Sequence, residues 1–265
     1  MSRMSVELAP GLYGGLRGRD PHDSRDYLFA LNTRKFGVPL RLPSSVLLPY
    51  LPPVRDQQSL GSCTAFSAAA NREILTLKIG HTLQPLSQLW VYYETRRKFW
   101  DVNEDSGAYM REVTAILAGR GAAREADWPY DVSKWNVNPP SASYGPAIWY
   151  RNVNYYRINT LSEMLSCLAA GWPFIFGFAI HPNFWDAQGS GNVPMPDSRV
   201  ILGGHANCAI GYVMDDAWAG GGYIIGRNSW GSWTHDGNLR FPFAFLDDPD
   251  TLMDVWAFHL KSEDA

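Results

Sequence analysis

The sequence has few cysteines and no long apolar run. Its 265 residues include only 3 cysteines, too few and too scattered for a disulfide framework, and the odd number leaves at least one thiol free. No stretch approaches the roughly 18 apolar residues of a membrane helix, and residues 1–18 contain no apolar run of signal-peptide length. We therefore expect no membrane association and a cytoplasmic location, where thiols stay reduced.

Basic charge is also scarce. Lys and Arg number 23 against 26 Asp and Glu, which gives a formal net charge of −3 and no basic stripe that would neutralise a phosphate backbone. Nucleic acid is therefore not an expected partner. Structural zinc sites typically contain two cysteines that lie two to four residues apart, and this sequence has no such pair. We expect no metal and no cofactor.

Apolar and aromatic residues are plentiful. The chain is 46% hydrophobic and contains 11 Trp, 13 Tyr and 12 Phe, so intrinsic disorder and fibrous classes are excluded. A typical domain has about 100–200 residues. The chain therefore forms one large domain or two smaller lobes.

Composition divides the chain into three parts. Residues 1–40 are rich in Gly, Arg, Asp and Pro and predict an extended arm. Residues 41–140 predict a mainly helical lobe and residues 141–265 a mainly β lobe. Apolar spacing predicts helices over 64–79, 86–99, 109–119 and 161–170, and strands over 174–180, 207–213 and 223–227.

Cys63 lies where a loop becomes a helix. Ser62 is the expected N-cap of that helix, and Gly61 and Ser62 are small enough to let a substrate backbone approach the sulfur. A thiolate there faces the positive end of the helix dipole, which predicts a lowered pKa. The alternative interpretation is an ordinary buried cysteine.

His205 and Asn228 follow in the order that a thiol protease needs. His205 comes 142 residues after Cys63 and enters an apolar strand, and Asn228 ends another strand 23 residues later. Taken singly, they are also compatible with a core histidine and with turn chemistry. Together with Cys63 they indicate nucleophilic catalysis by a thiol.

The local motifs around these residues resemble those of the papain-like cysteine peptidases. The matching pieces are Gln57 six residues before Cys63, Ala206 after His205, and Asn228-Ser229-Trp230-Gly231. The resemblance implies Cys63 as nucleophile, His205 as base and acid, Asn228 as the residue that orients His205, and Gln57 as an oxyanion-hole donor.

The resemblance also implies an α+β fold with two lobes. A helical N-terminal lobe and a β-barrel-like C-terminal lobe are expected to enclose the active site in the cleft between them. The substrate would be a peptide or protein. An endopeptidase is expected, but the sequence does not decide between endo- and exopeptidase action. The substrate-binding residues implied are Gly61, Ser62, Gly107, Ala108, Tyr109, Met110, Gly204, Ala206 and Trp230.

Several residues differ from the family pattern, and they change what we expect of the disulfide and of the substrate pocket. Leu60 stands where relatives carry a disulfide-forming cysteine, and Thr64 replaces the usual Trp. Among members of the family, the chain is most similar to bacterial or archaeal ones. Two features indicate this: the segment Pro52-Pro53-Val54-Arg55-Asp56-Gln57 before Cys63, and the absence of a signal peptide. Gly204 leaves no charge at the floor of the expected pocket, which argues against a preference for basic side chains.

Several alternatives stay open. Residues 1–40 form either a short autoinhibitory prosegment across the cleft or a structural arm packed on the back of the β lobe. The chemistry is peptide hydrolysis, another amide or acyl transfer of the isopeptidase or transglutaminase type, or, in a non-catalytic homologue, peptide binding alone. Neither the oligomeric state nor the roles of Cys167 and Cys208 follow from the sequence.

Overall fold

The computed structural model describes residues 7–9, 12–13, 15–151 and 154–260. Helices lie mainly in the first half of the chain. In chain order they are α1 (Thr33–Phe36), α2 (Cys63–Lys78), α3 (Gln88–Phe99), α4 (Met110–Gly119), α5 (Tyr144–Ala147), α6 (Leu161–Ala169) and α7 (Phe243–Asp247). The four predicted helices are confirmed to within two residues at each end.

Strands lie mainly in the second half. In chain order they are β1 (Glu7–Ala9), β2 (Leu12–Tyr13), β3 (Ser45–Leu47), β4 (Asn154–Arg157), β5 (Phe174–Ile180), β6 (Gly203–Met214), β7 (Gly222–Arg227), β8 (Asn238–Pro242) and β9 (Leu252–His259). Three of these were predicted. β6 begins four residues earlier than expected because Gly203 and Gly204 already pair with the end of β5.

Seven strands form one antiparallel sheet in the order β4-β9-β5-β6-β7-β8, and β3 pairs with β6 beside this path. β4 and β8 end the path without pairing with each other, so the expected barrel-like lobe is an open sheet. The mixed α+β fold is confirmed. None of the helices in the described ranges is both long and apolar enough to cross a membrane.

α2 is the central helix. It packs against α3 and α4 and also against β5 and β6, so it joins the helical part to the sheet. Its alanines allow this close approach, and Ala65, Ala68 and Ala69 are fully buried. The helix ends at Lys78, two residues before Gly80, whose φ of 80° suits a left-handed helix end.

One strand from the predicted helical lobe (residues 41–140) belongs to the sheet of the predicted β lobe. β3 precedes the helices in the chain but adds to the sheet, where Val46 pairs with Tyr212 of β6. The apolar centre of the sheet is aromatic and includes Phe176, Phe178 and Phe241, whose rings lie 4.7 to 5.8 Å apart.

The N-terminal arm is not extended throughout, which corrects the expectation. A 3₁₀ helix over Phe29–Asn32 is followed by α1, and the side chains of Phe29 and Phe36 are buried. Phe36 meets Tyr156 and Trp172 edge-on, with centroids 5.2 Å away. Burying two phenylalanines contributes about 3–6 kcal/mol, so this part of the arm is anchored on the sheet and α6 side of the molecule.

Candidate active site

Cys63 is the first residue of α2 and is fully buried. Ser62 occupies the N-cap position, but its hydroxyl does not cap the helix. That hydroxyl instead lies 2.9 Å from the hydroxyl of Tyr130. The sulfur therefore sits among unpaired backbone N–H groups at the start of the helix.

His205 and Asn228 are held together by one short hydrogen bond. His205 lies in β6 and Asn228 directly follows β7, and Nε2 of the imidazole is 2.8 Å from Oδ1 of the amide. The same oxygen accepts from Nδ2 of Asn207 at 3.1 Å and from N–H of Ser229 at 2.9 Å. Because Oδ1 only accepts, Nε2 of His205 carries a proton.

The other imidazole nitrogen has no such constraint. Nδ1 of His205 is buried and makes no hydrogen bond within the described residues. A buried polar atom without a partner costs about 1–3 kcal/mol. In the neutral ring, Nδ1 has a lone pair available to accept a proton from another group.

Aromatic rings enclose the imidazole. The Trp230 ring stacks on His205 with centroids 4.2 Å apart, and Phe178 meets it edge-on at 5.5 Å. Trp185 stacks on Trp230 in turn, with centroids 6.1 Å apart. These rings keep water away from the bond between His205 and Asn228, which strengthens that bond.

Gln57 is fully buried and ties the loop before α2 to the residues after β7. Its Oε1 accepts from the Ser229 hydroxyl at 2.6 Å, and its backbone N–H donates to Ser229 O at 2.8 Å. Its Nε2 donates to Leu60 O at 2.8 Å. These two side-chain bonds hold the Gln57 amide in one orientation.

Burial controls the protonation of the two central residues. It raises the pKa of Cys63 to about 12, against the opposing effect of N–H groups of Gly15, Ala206 and Thr64. It lowers the pKa of His205 to about 4, with the Asn228 hydrogen bond acting in the opposite sense. The lowered cysteine pKa predicted from the helix N-terminus is therefore wrong for this closed state, because desolvation of the thiolate outweighs the helix.

The arm passes directly over Cys63. The Gly15 N–H donates to Sγ of Cys63 at 3.3 Å. Gly15 O accepts from Ala108 N–H at 2.9 Å, Arg17 N–H donates to Ala108 O at 3.2 Å, and Leu16 N–H donates to Gly204 O at 3.3 Å. Residues 15–17 thus add a short parallel strand to the residues expected to bind substrate.

The Leu16 side chain fills an apolar pocket and is 7% exposed. A Cβ at Gly177 would lie 2.6 Å from Cδ2 of Leu16, and a Cβ at Gly204 would lie 3.1 Å from its Cβ. Met110 approaches the same position. Sequence reasoning missed Gly177, which lies inside an apolar run of β5 where no local signal marks it.

The remaining expected substrate residues lie around the arm. Gly107, with a φ of 66°, faces the Gly15 carbonyl, and Gly61 faces Gly15 from the other side. Tyr109 precedes α4, and its ring centroid lies 6.1 Å from that of Trp100. The Ala206 N–H donates to the Cys63 thiol and lowers its pKa, against the larger effect of burial.

Asp105 is a second residue that sequence reasoning missed. Its carboxylate accepts from the Gly61 N–H at 3.1 Å and from the Tyr92 hydroxyl, so it shapes the loop before Cys63. It lies in a polar loop with other acidic residues. Nothing in the sequence distinguishes it from them.

The class of protein follows from what meets at the cleft. A thiol at a helix start and an imidazole with one nitrogen held by an amide are the groups that a cysteine peptidase needs. The sequence profile described as papain family cysteine protease matches residues 48–243, about three quarters of the chain. The chain belongs to the papain family and is a cysteine peptidase.

Individual relatives agree with this assignment. An uncharacterised peptidase C1-like protein of Acanthamoeba polyphaga mimivirus is 33% identical over 216 residues, which cover 76% of this chain and 68% of the relative. Xylellain, a cysteine protease from Xylella fastidiosa, is 29% identical with a TM-score of 0.80, and the match covers 96% of this chain and 98% of xylellain.

A more distant structure shares the fold. The bromelain protease of Ananas comosus, solved in complex with an inhibitor, is 23% identical with a TM-score of 0.65. The match covers 83% of this chain and 100% of bromelain. The predicted papain-like fold and cysteine peptidase function are confirmed.

Proposed function

We propose that Cys63 is the nucleophile, with His205 as its base, and that Asn228 and Gln57 assist them. The observation that carries this assignment is the asymmetry of His205. Asn228 holds Nε2, while Nδ1 has no hydrogen-bond partner among the described residues. The N–H of the next residue, Ala206, contacts the buried thiol of Cys63. This leaves Nδ1 to receive the thiol proton.

The reaction then proceeds by acyl transfer. Proton transfer from Cys63 to Nδ1 of His205 gives a thiolate, which attacks the scissile carbonyl carbon. The Gln57 amide and the Cys63 N–H stabilise the oxyanion. His205 returns the proton to the leaving amine, a thioester remains on Cys63, and water activated by His205 hydrolyses it.

We also propose that residues 15–17 hold the enzyme latent. The group against Sγ of Cys63 is an N–H and not a carbonyl carbon, so the arm occupies the cleft without presenting a bond to attack. It also excludes water, which keeps Cys63 and His205 neutral. The two interpretations of the arm are compatible, because residues 15–17 lie in the cleft while Phe29 and Phe36 pack elsewhere.

The pocket that Leu16 fills indicates substrate preference. Met110, Gly177 and Gly204 surround the side chain and carry no charge. We therefore propose that substrates place a branched aliphatic side chain there. A fluorogenic peptide library varied at this position would show leucine favoured over lysine and glutamate; equal cleavage of all three would contradict it.

Intact-mass labelling tests the nucleophile. A thiol-reactive epoxide should add once to the wild-type chain and not to Cys63→Ala. Cys208→Ala, which removes another fully buried thiol, is the matched control and should label like wild type. Equal labelling of Cys63→Ala and wild type would overturn the assignment, and labelling without peptide cleavage would point to another acyl acceptor or substrate.

Self-processing tests the arm as a prosegment. Leu40 is fully exposed between the anchored part of the arm and β3, so it is accessible to a second enzyme molecule. Mass spectrometry should find cleavage near Leu40 in wild type and none in Cys63→Ala. An intact wild-type chain with full activity would contradict latency.

A further inference from the structure

A second cavity lies away from the catalytic cleft. It has a volume of about 570 Å³, within the range of small-molecule sites. Arg72 and Thr76 of α2, His81 and Gln84 of the following loop, and Trp149 and Arg151 after α5 contribute to its wall. Among the described residues, the lining includes two arginines and a histidine and no carboxylate.

Arg72 is the central feature of this cavity. The residue is only 6% exposed, yet it has no carboxylate partner within the described ranges. Its Nε donates to Tyr150 O at 3.3 Å and its Nη1 to the Thr76 hydroxyl at 2.5 Å, while Nη2 makes no hydrogen bond there. A buried charge of this kind is costly unless an anion pairs with it.

Arg96, another buried arginine, is satisfied differently. Its two terminal nitrogens donate to three backbone carbonyls, those of Val102, Glu104 and Trp135. Arg72, which lines the cavity, instead makes one backbone and one side-chain hydrogen bond, through Nε and Nη1. Burial lowers its pKa to about 10, so the guanidinium is still charged at neutral pH.

The rim offers a flat apolar surface. The Trp149 side chain is 82% exposed although it is one of the largest apolar groups in the chain. Arg151, two residues later, is exposed on the same cavity. A ligand that reaches Arg72 would therefore pass a second guanidinium and an indole face.

We propose that this cavity binds a small organic anion, whose phosphate or carboxylate group pairs with Arg72 and Arg151 and whose apolar part covers Trp149. Guanidinium groups match both oxyanions in geometry, since each accepts two parallel N–H bonds. This binding goes beyond peptide hydrolysis and does not depend on the catalytic assignment.

Calorimetry with matched probes tests the proposal on the full-length chain. Phenyl phosphate and benzoate share a ring and differ in the oxyanion, and benzyl alcohol is the neutral control. At least one of the two anions should bind with a stoichiometry of one, and benzyl alcohol should not. Whichever anion binds more tightly identifies the head group, and absence of binding by both at low ionic strength would overturn the proposal.

Variants locate the binding. Arg151→Gln alters an exposed side chain, leaves folding intact and should weaken binding at least about tenfold, as expected for loss of a charged hydrogen bond. Arg72→Met should weaken it further. If Arg72→Met fails to fold, the affinity of Arg151→Gln alone decides whether the anion binds in this cavity. Arg34→Gln, an exposed arginine on α1, is the matched control. Equal affinities in Arg151→Gln and Arg34→Gln would place the binding elsewhere and contradict the site.

Discussion

The backbone N–H of Gly15 donates to Sγ of Cys63, although 48 residues separate them in the chain. Gly15 is needed at this point for a steric reason. A Cβ on Gly15 would lie 1.8 Å from Gly61 O, which is far inside contact distance and belongs to backbone that cannot rotate away. The arm reaches the sulfur only because this residue has no side chain.

Gly15→Ala should therefore release the arm from the cleft. At pH 8 a thiol with a pKa of about 12 is ionised in about one molecule in 10⁴, so wild-type Cys63 should react slowly with iodoacetamide. The variant should react at least about tenfold faster and cleave peptides faster. Gly145→Ala, where a Cβ meets nothing, is the control. Equal reaction rates in all three proteins would refute latency through Gly15.

Gln57→Ala should reduce turnover by about 10²–10³, the usual effect of removing one oxyanion donor. Because the donor acts on the transition state, kcat should fall with little change in KM. Gln57 also bonds to Ser229, so Ser229→Ala is the matched control for lost anchoring. If Ser229→Ala is as slow as Gln57→Ala in steady-state kinetics, the role of Gln57 is structural.

Asn228→Ala should slow the reaction by about 10–100-fold, because a hydrogen bond to a charged imidazolium is worth about 1.5–3 kcal/mol. The freed His205 ring can also rotate, so the acid limb of the pH–rate profile should shift. Asn183→Ala removes an amide that bonds only to Met195 O and is the control. If Asn228→Ala has the same rate and the same pH–rate profile as wild type, Asn228 does not orient His205.

Asp254 makes stability depend on pH. Burial, with Asp20 adding to it, raises the pKa of Asp254 from 3.8 to about 6. The folded chain binds this proton more tightly than the unfolded chain, so the group's contribution to stability is complete below about pH 4 and is lost as pH rises through about 6. Asp254 also accepts from Asp20 N–H at 2.6 Å, so the effect reaches the arm.

Asp254→Asn should reduce this dependence; Asp20, whose pKa burial also raises, still titrates in the variant. Between pH 4 and 7 the free energy of unfolding of wild type should fall relative to that of the variant, and the difference should be constant above pH 7. Urea unfolding at each pH measures it. Asp216→Asn, which changes an exposed carboxyl, should run parallel to wild type. A parallel curve for Asp254→Asn as well would show that this carboxyl is not the titrating group.

The sequence predicted much of the catalytic constellation because its parts carry local motifs. Cys63 follows a Gly-Ser loop and begins a clear helix, and Asn228 stands in a four-residue motif. His205 is joined to Asn228 by a hydrogen bond, and the N–H of the next residue, Ala206, lies against the Cys63 thiol. Strands were harder to predict, since β8 ends in a proline and β9 contains Asp254, and both patterns are common in loops.

Other features depend on tertiary contacts and carry no local signal. The raised pKa of Cys63 arises from burial under residues far away in the chain, which a helix-terminus argument does not include. Gly177 and Asp105 belong to the site only because β5 and the loop before α4 meet the arm there. Nothing in the sequence distinguishes Arg72 from other helix arginines, because its cavity forms only from tertiary contacts.

The packing of Phe29 and Phe36 has a kinetic consequence. In the proposed latent state, residues 15–17 compete with substrate as a tethered ligand, since these two rings fasten the arm to the body of the enzyme. Their effective concentration is on the order of millimolar, whatever the enzyme concentration. Dilution is therefore not expected to relieve this proposed block, and residues 15–17 need less binding free energy than the same tripeptide would need as a free molecule.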